Sequence, residues 1–427
     1  MKVLPSVCPL DCPDRCALDV TVDNERVVKI DGSRRSEYTN GYICAKVRRF
    51  PEREHSKERV LYPMRRVGPK GSGQFERISW PEAVDLIARR MSNLVRTVGP
   101  ESILPFHYDG SNGLITSGAM DERFWNRLGT SQLRKTFCAA NTGAAWSSVF
   151  GDLSGADPMD VRESDAVVLW GVNPSASGIH LVPWVREAKQ KGAFLAVIDP
   201  RRTPLAREAD LHLPVLPGTD VAVALAMIQT AHEEGLLDHT FMSQWVRGAD
   251  ELLRLACTPE EASALSGVPA DAIRALPRAL AKSSAMFFRV GWGLERNRNG
   301  TDSVRAVLSL RAMLGRFSRR GSGVLISTTR GYGLDLTRAA LPELRNQPAR
   351  TINMSQLGSA LEETRDPEIG ALFIYNSNPV ATAPNQSRVI RALSRESLFV
   401  AVHEQVWTDT CTFADVVLPA TTFLEHT

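Results

Sequence analysis

The sequence is poor in the features that mark membrane, secreted or nucleic-acid-binding chains. No segment reaches 18 uninterrupted apolar residues, and the opening MKVLPSVCPLDCP has neither a basic run before an apolar stretch nor a twin-arginine pair. Neither a spanning helix nor an export leader is therefore expected. Charge of one sign is also missing: 51 Lys and Arg face 48 Asp and Glu, which gives no broad nucleic-acid footprint. An even, regularly spaced cysteine framework is absent too, because the seven cysteines are odd in number and front-loaded. What is present is a chain of 427 residues, 43% hydrophobic and 23% charged, long enough for two or three domains with real cores. A globular, soluble, cytoplasmic protein is expected, without nucleic-acid binding or direct membrane insertion.

Cys8, Cys12 and Cys16 are each separated by three residues, and Cys44 closes the set after 27 more, across the alternating runs CALDVTV and RVVKIDG. Three thiolates on one loop and a remote fourth suit a [4Fe-4S] cubane, whose iron is stabilised by soft sulfur donors. A four-thiolate zinc site is the alternative, although its ligands usually come in paired knuckles. Unligated cysteines are a third reading. Pro9 and Pro13 stiffen the loop, and Gly41 supplies the return turn before Cys44. Lys46 follows in CAK. It is either a solvated surface charge or a cation that stabilises an electron between the cluster and a second redox group.

Beyond an Arg-rich stretch, SWPEAVDLIARRMSNLV predicts a helix capped by Ser79, with Pro81 in the first turn and Glu82 three residues after the cap. DAVVLWGVNP then predicts a buried strand and tight turn, PWVREAKQKG a helix, and AFLAVIDP a strand ending at Asp199. The same order returns in IGALFIYNSNP, SRVIRALSRES and LFVAVHEQ. A constant offset of 205 aligns Asn173 and Pro174 with Asn378 and Pro379, Asp199 with Glu404, Thr203 with Thr408, and Asp210 with Asp415. These matches lie at turns and strand ends, where ligands meet open α/β sheets. The repeat is either a structural remnant of duplication or a pair of nucleotide-binding halves offering backbone donors to phosphates. Neither half carries G-x-G-x-x-G, which argues against ordinary NAD binding. LPVLPGTDVAVALAM adds a loop through Gly218, with Thr219 or Asp220 expected to cap the next helix.

Together, the cysteine module, VVLWGVNP, VIDPRRT, ADLHLPVLPGTD, YNSNP and ADVVLPATTFLEHT resemble the molybdopterin oxidoreductases of the dimethyl sulfoxide reductase superfamily, over essentially the whole chain. The resemblance implies molybdenum or tungsten held by two molybdopterin guanine dinucleotides beside a [4Fe-4S] cluster. Two similar ligands would give the 205-residue echo its purpose. The first cradle would use Asn173, Asp199, Arg201, Thr203, Gly218 and Asp220; the second would use Asn378, His403, Glu404 and Thr408. The implied fold is α/β: a small iron–sulfur domain over 1–50, then two pseudo-symmetric, partly noncontiguous αβα domains. One combines 51–155 with 355–427, and the other is inserted at 156–354. Relatives continue into a C-terminal cap, so this chain is expected to be C-terminally incomplete.

The resemblance also makes Cys138, in TFCAANTG, the expected metal ligand, a buried structural thiol being the alternative. Cys257 and Cys411 lack that context and are expected to pack. Formate dehydrogenases of the superfamily place His after the ligand, whereas Ala139, which cannot move a proton, stands here and counts against formate oxidation. Arg350 resembles an anion-binding arginine near the substrate, with pterin orientation or an ion pair as alternatives; His107 and Asn141 are weaker pocket candidates. In FRVGWGLERNRNG, Gly291 and Gly293 would allow close approach of a pterin, and Arg296 or Arg298 would face its phosphate, unless the segment is a surface turn. The implied reaction is a two-electron exchange at the metal with a small-molecule substrate, coupled through a pterin and the cluster to an iron–sulfur or flavin electron-transfer protein. A non-redox hydratase and a noncatalytic cofactor-binding or electron-transfer subunit are the other classes.

Overall fold

The apolar runs become the strands of four sheets in a computed structural model that describes residues 1–108, 110, 118–327 and 333–425. The last two residues of ATTFLEHT lie outside the described residues. In chain order the described strands are β1 (Lys2–Val7), β2 (Ala17–Asp23), β3 (Arg26–Gly32), β4 (Met64–Arg66), β5 (Phe75–Arg77), β6 (Ile103–His107), β7 (Gln132–Arg134) and β8 (Ala166–Trp170). There follow β9 (Phe194–Ile198), β10 (Leu211–Leu213), β11 (Met286–Val290), β12 (Gly323–Leu325), β13 (Thr351–Asn353), β14 (Ala371–Tyr375), β15 (Phe399–Glu404) and β16 (Val416–Pro419).

The chain divides into two units. One comprises Met1–Asp11, Arg15–Phe137 and Leu334–Thr427; the other comprises Cys12–Asp14 and Cys138–Gly333. The chain therefore leaves the first unit after Phe137 and returns at Leu334, about twenty residues before each boundary expected from the sequence. Packing explains the difference. Helix Ala140–Phe150 lies against helix Gly300–Met313 of the second unit and sinks Ala145 and Trp146 into that unit's core. Helix Thr337–Ala340 instead packs on helix Met120–Leu128 of the first unit, where Arg123 Nε donates to the Ala339 carbonyl at 2.8 Å.

In the second unit the sheet order is β10-β9-β8-β11-β12, with every pairing parallel. All five residues of β8 and of β11 are buried, as expected of central parallel strands covered on both faces. Val167 and Leu169 face Leu181 and Val185 of the crossover helix, while Val168 and Trp170 face Met227 and Val307 on the other side. In the first unit the order is β5-β4-β16-β15-β14-β6; the β16-β15-β14-β6 run is parallel and β4 joins its edge antiparallel. The separate β1-β2-β3 sheet is antiparallel and carries the cysteine module.

The offset of 205 holds in the structure. β8, β9 and β10 correspond to β14, β15 and β16, and crossover helix Leu181–Gln190 corresponds to Gln386–Leu393. Hydrogen bonds repeat as well: Leu195 N–H donates to Asp210 Oδ2 at 2.8 Å, and Val400 N–H donates to Asp415 Oδ2 at 2.8 Å. The architecture is thus α/β with an N-terminal cysteine-bearing sheet and two pseudo-symmetric halves. Ser79 and Glu82 form the expected capping box of helix Trp80–Thr97, an arrangement worth about 1 kcal/mol.

Candidate functional site

The cysteine module begins on a hairpin. Cys8 follows β1 and Cys16 precedes β2, and Cys8 N–H donates to the Cys16 carbonyl at 2.9 Å. Both are buried in one small core with Leu18, Ile30 and Val47, against which Cys44 packs. Cys44 is the N-cap of helix Ala45–Arg48, and Lys46 is exposed on that helix. Cys12 lies on the loop joining the hairpin strands; burial pushes its thiol pKa up, against opposing backbone donors at Asp14 and Gly178. Among the described residues no disulfide joins any of the seven cysteines. The sequence reading did not single out Asp14 or His180, which form a buried pair: Asp14 Oδ2 accepts from His180 Nδ1 at 2.8 Å and from its backbone N–H at 3.2 Å.

Both candidate cradles lie at the carboxyl ends of parallel strands. After β8, the Asn173 carbonyl accepts from Ala176 and Ser177 N–H groups to form the turn, while Asn173 Oδ1 and Ser175 Oγ are buried and find no partner among the described residues. After β9, Asp199 accepts from Arg201 N–H at 2.8 Å, and burial raises its carboxyl pKa. Arg201 is exposed, and Thr203 caps helix Pro204–Glu208. The expected cap at Thr219 is not made: its hydroxyl donates back to the Leu216 carbonyl at 2.6 Å. Asp220 instead accepts from Trp170 Nε1 at 2.8 Å, and burial raises its pKa too.

The second half repeats this plan after β14 and β15. Ser377 Oγ is buried without a partner among the described residues, and the adjacent Asn378 Oδ1 accepts from Thr410 Oγ1 at 2.6 Å. Glu404 accepts from Gln405 N–H at 2.8 Å and is raised by burial, as Asp199 is. His403 Nε2 lies 3.2 Å from the Pro419 carbonyl, and burial lowers its pKa. Thr408 precedes helix Asp409–Phe413, with its hydroxyl 3.4 Å from Cys411 Sγ. Cys411 is fully buried, and Cys257 is half-buried with Sγ 3.4 Å from the Ala222 carbonyl, so both serve packing.

The glycines expected to approach a ligand have a nearer backbone neighbour. Gly291 N–H donates to the Trp170 carbonyl at 2.8 Å and Gly293 N–H to the Gly171 carbonyl at 3.2 Å, interlocking the loops that leave β8 and β11. A Cβ on Gly291 would stand 2.2 Å from the Gly171 oxygen. Gly218, in the left-handed region at φ +88°, accepts at its carbonyl from Asn299 Nδ2 at 2.8 Å. Gly291→Ala is expected to cost about 1–3 kcal/mol in denaturant unfolding, since backbone must move. Gly143→Ala, in a helix interior with nothing within 4 Å, should be neutral or stabilising by up to about 1 kcal/mol. Equal costs at the two positions would refute the interlock.

Cys138 is half-buried immediately before helix Ala140–Phe150. The buried Glu295 accepts from Thr142 N–H of that helix at 2.6 Å, and burial raises its carboxyl pKa. Asn141 Oδ1 accepts from Thr301 Oγ1 at 3.1 Å. This carboxylate at the helix start was hidden in GWGLERNRNG, where the sequence reading favoured the glycines and the exposed Arg296 and Arg298.

In the first unit Arg350 donates to the Glu101 carbonyl at 2.6 Å, the Pro367 carbonyl at 2.8 Å and Ser131 Oγ at 3.1 Å. Its guanidinium clamps these neighbouring segments together. His107 stacks on Tyr375 with centroids 4.5 Å apart, its Nε2 3.3 Å from Glu122. Tyr375 in turn donates to Asp121 at 2.8 Å and accepts from Trp125 at 2.9 Å. Burial alone would raise the Glu122 pKa, but the hydrogen bond to His107 and the neighbouring Lys135 hold it down at about 2. A depressed carboxylate stabilises the fold fully above its unfolded value near 4.3 and loses that contribution as pH falls through the folded value. Acid titration should therefore loosen the His107 region between about pH 4.5 and 2, and Glu122→Gln should flatten that limb in hydrogen-exchange measurements.

Among the described residues no helix is long and apolar enough to cross a membrane. The family model described as molybdopterin oxidoreductase matches residues 59–427, and that described as molybdopterin oxidoreductase Fe4S4 domain matches residues 1–56. The chain is 36% identical over 428 residues to a Bacillus subtilis protein described as probable oxidoreductase YoaE, covering all of this chain and 63% of that one. It is 32% identical to dimethyl sulfoxide reductase DmsA of Escherichia coli, over 87% of this chain and 50% of that one. Among solved structures, acetylene hydratase from Pelobacter acetylenicus shares the fold with a TM-score of 0.82 and 24% identity, over 98% of this chain and 63% of that one. The chain thus spans half to two-thirds of the length of these relatives. With its cysteine-bearing N-terminal sheet and its repeated strand-end turns, the chain belongs to the molybdopterin oxidoreductase family of the dimethyl sulfoxide reductase superfamily.

Proposed function

We propose that this chain is the cofactor-bearing part of a molybdenum or tungsten enzyme that exchanges two electrons between a small substrate and a [4Fe-4S] relay. The observation that carries the reading is the pair of equivalent strand-end turns with buried side-chain oxygens that find no partner among the described residues, Asn173 and Ser175 in one half and Ser377 in the other. Burying such oxygens without partners is costly, so they fit a polar ligand that supplies donors. Two molybdopterin guanine dinucleotides are that ligand in our reading. Asn173, Asp199, Arg201, Thr203, Gly218 and Asp220 hold one, and Asn378, His403, Glu404 and Thr408 hold the other, while Gly291 and Gly293 keep the first cradle's loops in register. When bound, the metal, its pterins and the cluster supply the two-electron and one-electron redox chemistry.

The chain's own groups position and tune that chemistry. Cys8, Cys12, Cys16 and Cys44 offer four soft donors for iron, and Cys138 offers a polarizable thiolate to the heavier metal. Glu295 fixes the first turn of the helix that follows Cys138. Lys46 supplies a positive charge two residues beyond the last iron ligand, lowering the energy of an added electron. Ala139 leaves no proton-transfer side chain beside the thiolate, which favours oxygen-atom or sulfur transfer over formate oxidation. A cytoplasmic location and an iron–sulfur or flavin redox partner belong to the same proposal.

Anaerobic purification of the full-length protein, followed by metal analysis, guanine nucleotide release and spectroscopy with candidate donors, tests it. Iron, molybdenum or tungsten, pterin and bleaching of the iron–sulfur absorption by one donor are the expected results. Zinc without iron, pterin or the heavier metal would overturn it. A full cofactor complement with turnover but no change in cluster oxidation level would favour a non-redox hydratase, the activity named for the acetylene hydratase that shares this fold.

A further inference from the structure

Charge is balanced over the whole chain but not along the segment that carries Cys44. Residues 34–57 contain seven Lys and Arg against three Glu, a surplus of four, whereas all 427 residues together have a surplus of three. Helix Ala45–Arg48 starts at Cys44, and Arg48 N–H donates to the Cys44 carbonyl at 3.2 Å, so Arg48 stands one helical turn from that ligand. The inner side of this turn is anchored by Val47, buried with Cys8, Cys16 and Ile30. Its outer side shows Lys46, Arg48 and Arg49 to solvent. Arg34, also exposed, lies over Gly41 in the turn before Cys44: a Cβ there would be 3.0 Å from Arg34 Cγ. Arg49 pairs with Glu52, but neither Arg34 nor Arg48 forms an ion pair among the described residues.

Exposed cations held on a rigid turn beside a redox centre raise the local concentration of an anionic partner and orient it, without requiring a tight complex. We infer that Arg34, Arg48 and Arg49 form the docking face for a small acidic electron-carrier protein, delivering or accepting one electron at the cluster edge near Cys44. The inference rests on the redox reading above. In the delivery direction one electron leaves the reduced carrier and enters the [4Fe-4S] cluster; no atom or proton is transferred. A nucleic acid is a poorer occupant, because the three Glu of the same segment interrupt the cations.

Anaerobic stopped-flow reduction of the full-length holoenzyme's cluster by reduced plant-type [2Fe-2S] ferredoxin, an acidic carrier, tests this without knowledge of the substrate. The second-order rate constant should fall at least tenfold between about 25 and 300 mM salt. The Arg34→Glu/Arg48→Glu variant should slow it about tenfold at low salt, and Arg34→Gln/Arg48→Gln should fall between. Arg254→Glu, an exposed reversal in the other unit, should change it little. Photoreduced deazaflavin, which needs no docking face, should reduce all four proteins alike. Ferredoxin rates insensitive to salt and to both double variants, with normal deazaflavin reduction, would overturn the docking face and leave the redox reading standing. A holoenzyme with no reducible cluster would overturn both. Unchanged ferredoxin rates with loss of sedimentation on phosphatidylserine vesicles in the charge-reversed variant would assign the face to an anionic membrane instead.

Discussion

Cys44→Ala is expected to remove iron almost completely from the purified protein and to abolish the broad absorption of the cluster. Cys44 is not a spare thiol on a surface loop. It caps helix Ala45–Arg48 and packs against the core formed by Cys8, Cys16, Leu18, Val20, Ile30, Ile43 and Val47. That core is small, and a bound cluster would contribute folding free energy to it in the way a structural metal does. Loss of one of four thiolates should therefore be felt twice, as lost iron and as a loosened β1-β2-β3 sheet. The matched control is Cys257→Ala, whose thiol is half-buried in the second unit and lies 3.4 Å from the Ala222 carbonyl. It should keep its iron and its spectrum. Metal analysis of both variants decides the matter: retention of full iron by Cys44→Ala would remove it from the ligand set, and stoichiometric zinc in place of iron would replace the cubane with a zinc site.

The architecture was legible because its signals are local and strong. Five consecutive apolar residues such as AVVLW suit a parallel strand covered on both faces, and the ungapped offset of 205 carried the three strands β8, β9 and β10 onto β14, β15 and β16. The crossing points between units were displaced because helices Ala140–Phe150 and Thr337–Ala340 choose their unit by tertiary contact, and no turn signal marks that choice. The iron–sulfur module was legible through a residue type with restricted chemistry, the cysteines clustered in the segment that the Fe4S4 domain model matches. The site was less legible where tertiary partners decide the role. Arg350 has the charge of an anion ligand but is engaged by carbonyls of Glu101 and Pro367, groups that carry no side-chain signature. Asp14 and His180 are 166 residues apart, and Glu295 is a single acid inside an Arg-rich loop with no periodicity to betray its burial.

Equivalent substitutions at the two related aspartates should have unequal costs. Asp210 and Asp415 accept the same backbone hydrogen bond, from Leu195 and Val400, and each donates its own N–H back to the same residue's carbonyl, at 2.9 and 2.7 Å. Their cations differ. Lys189, bonded to Asp210 at 2.6 Å, is 31% exposed, so water takes over when the carboxylate is removed. Lys70, 3.0 Å from Asp415, is 1% exposed, and burial lowers its pKa; Arg66 also reaches Asp415, at 2.7 Å. Removing the carboxylate there strands a desolvated ammonium with, among the described residues, the Leu398 carbonyl as its remaining acceptor. Asp210→Ala should cost about 1–2 kcal/mol, the scale of one lost hydrogen bond and an exposed ion pair. Asp415→Ala should cost about 3–5 kcal/mol, the scale for breaking a buried pair from one side. Hydrogen exchange of β9–β10 and of β15–β16 reads each half separately. Adding Lys70→Met should recover much of the Asp415→Ala loss, because the stranded charge disappears with the lysine. If Asp210→Ala and Asp415→Ala proved equal, or if Lys70→Met brought no recovery, the electrostatic distinction between the two halves would fall, and only their shared backbone plan would remain.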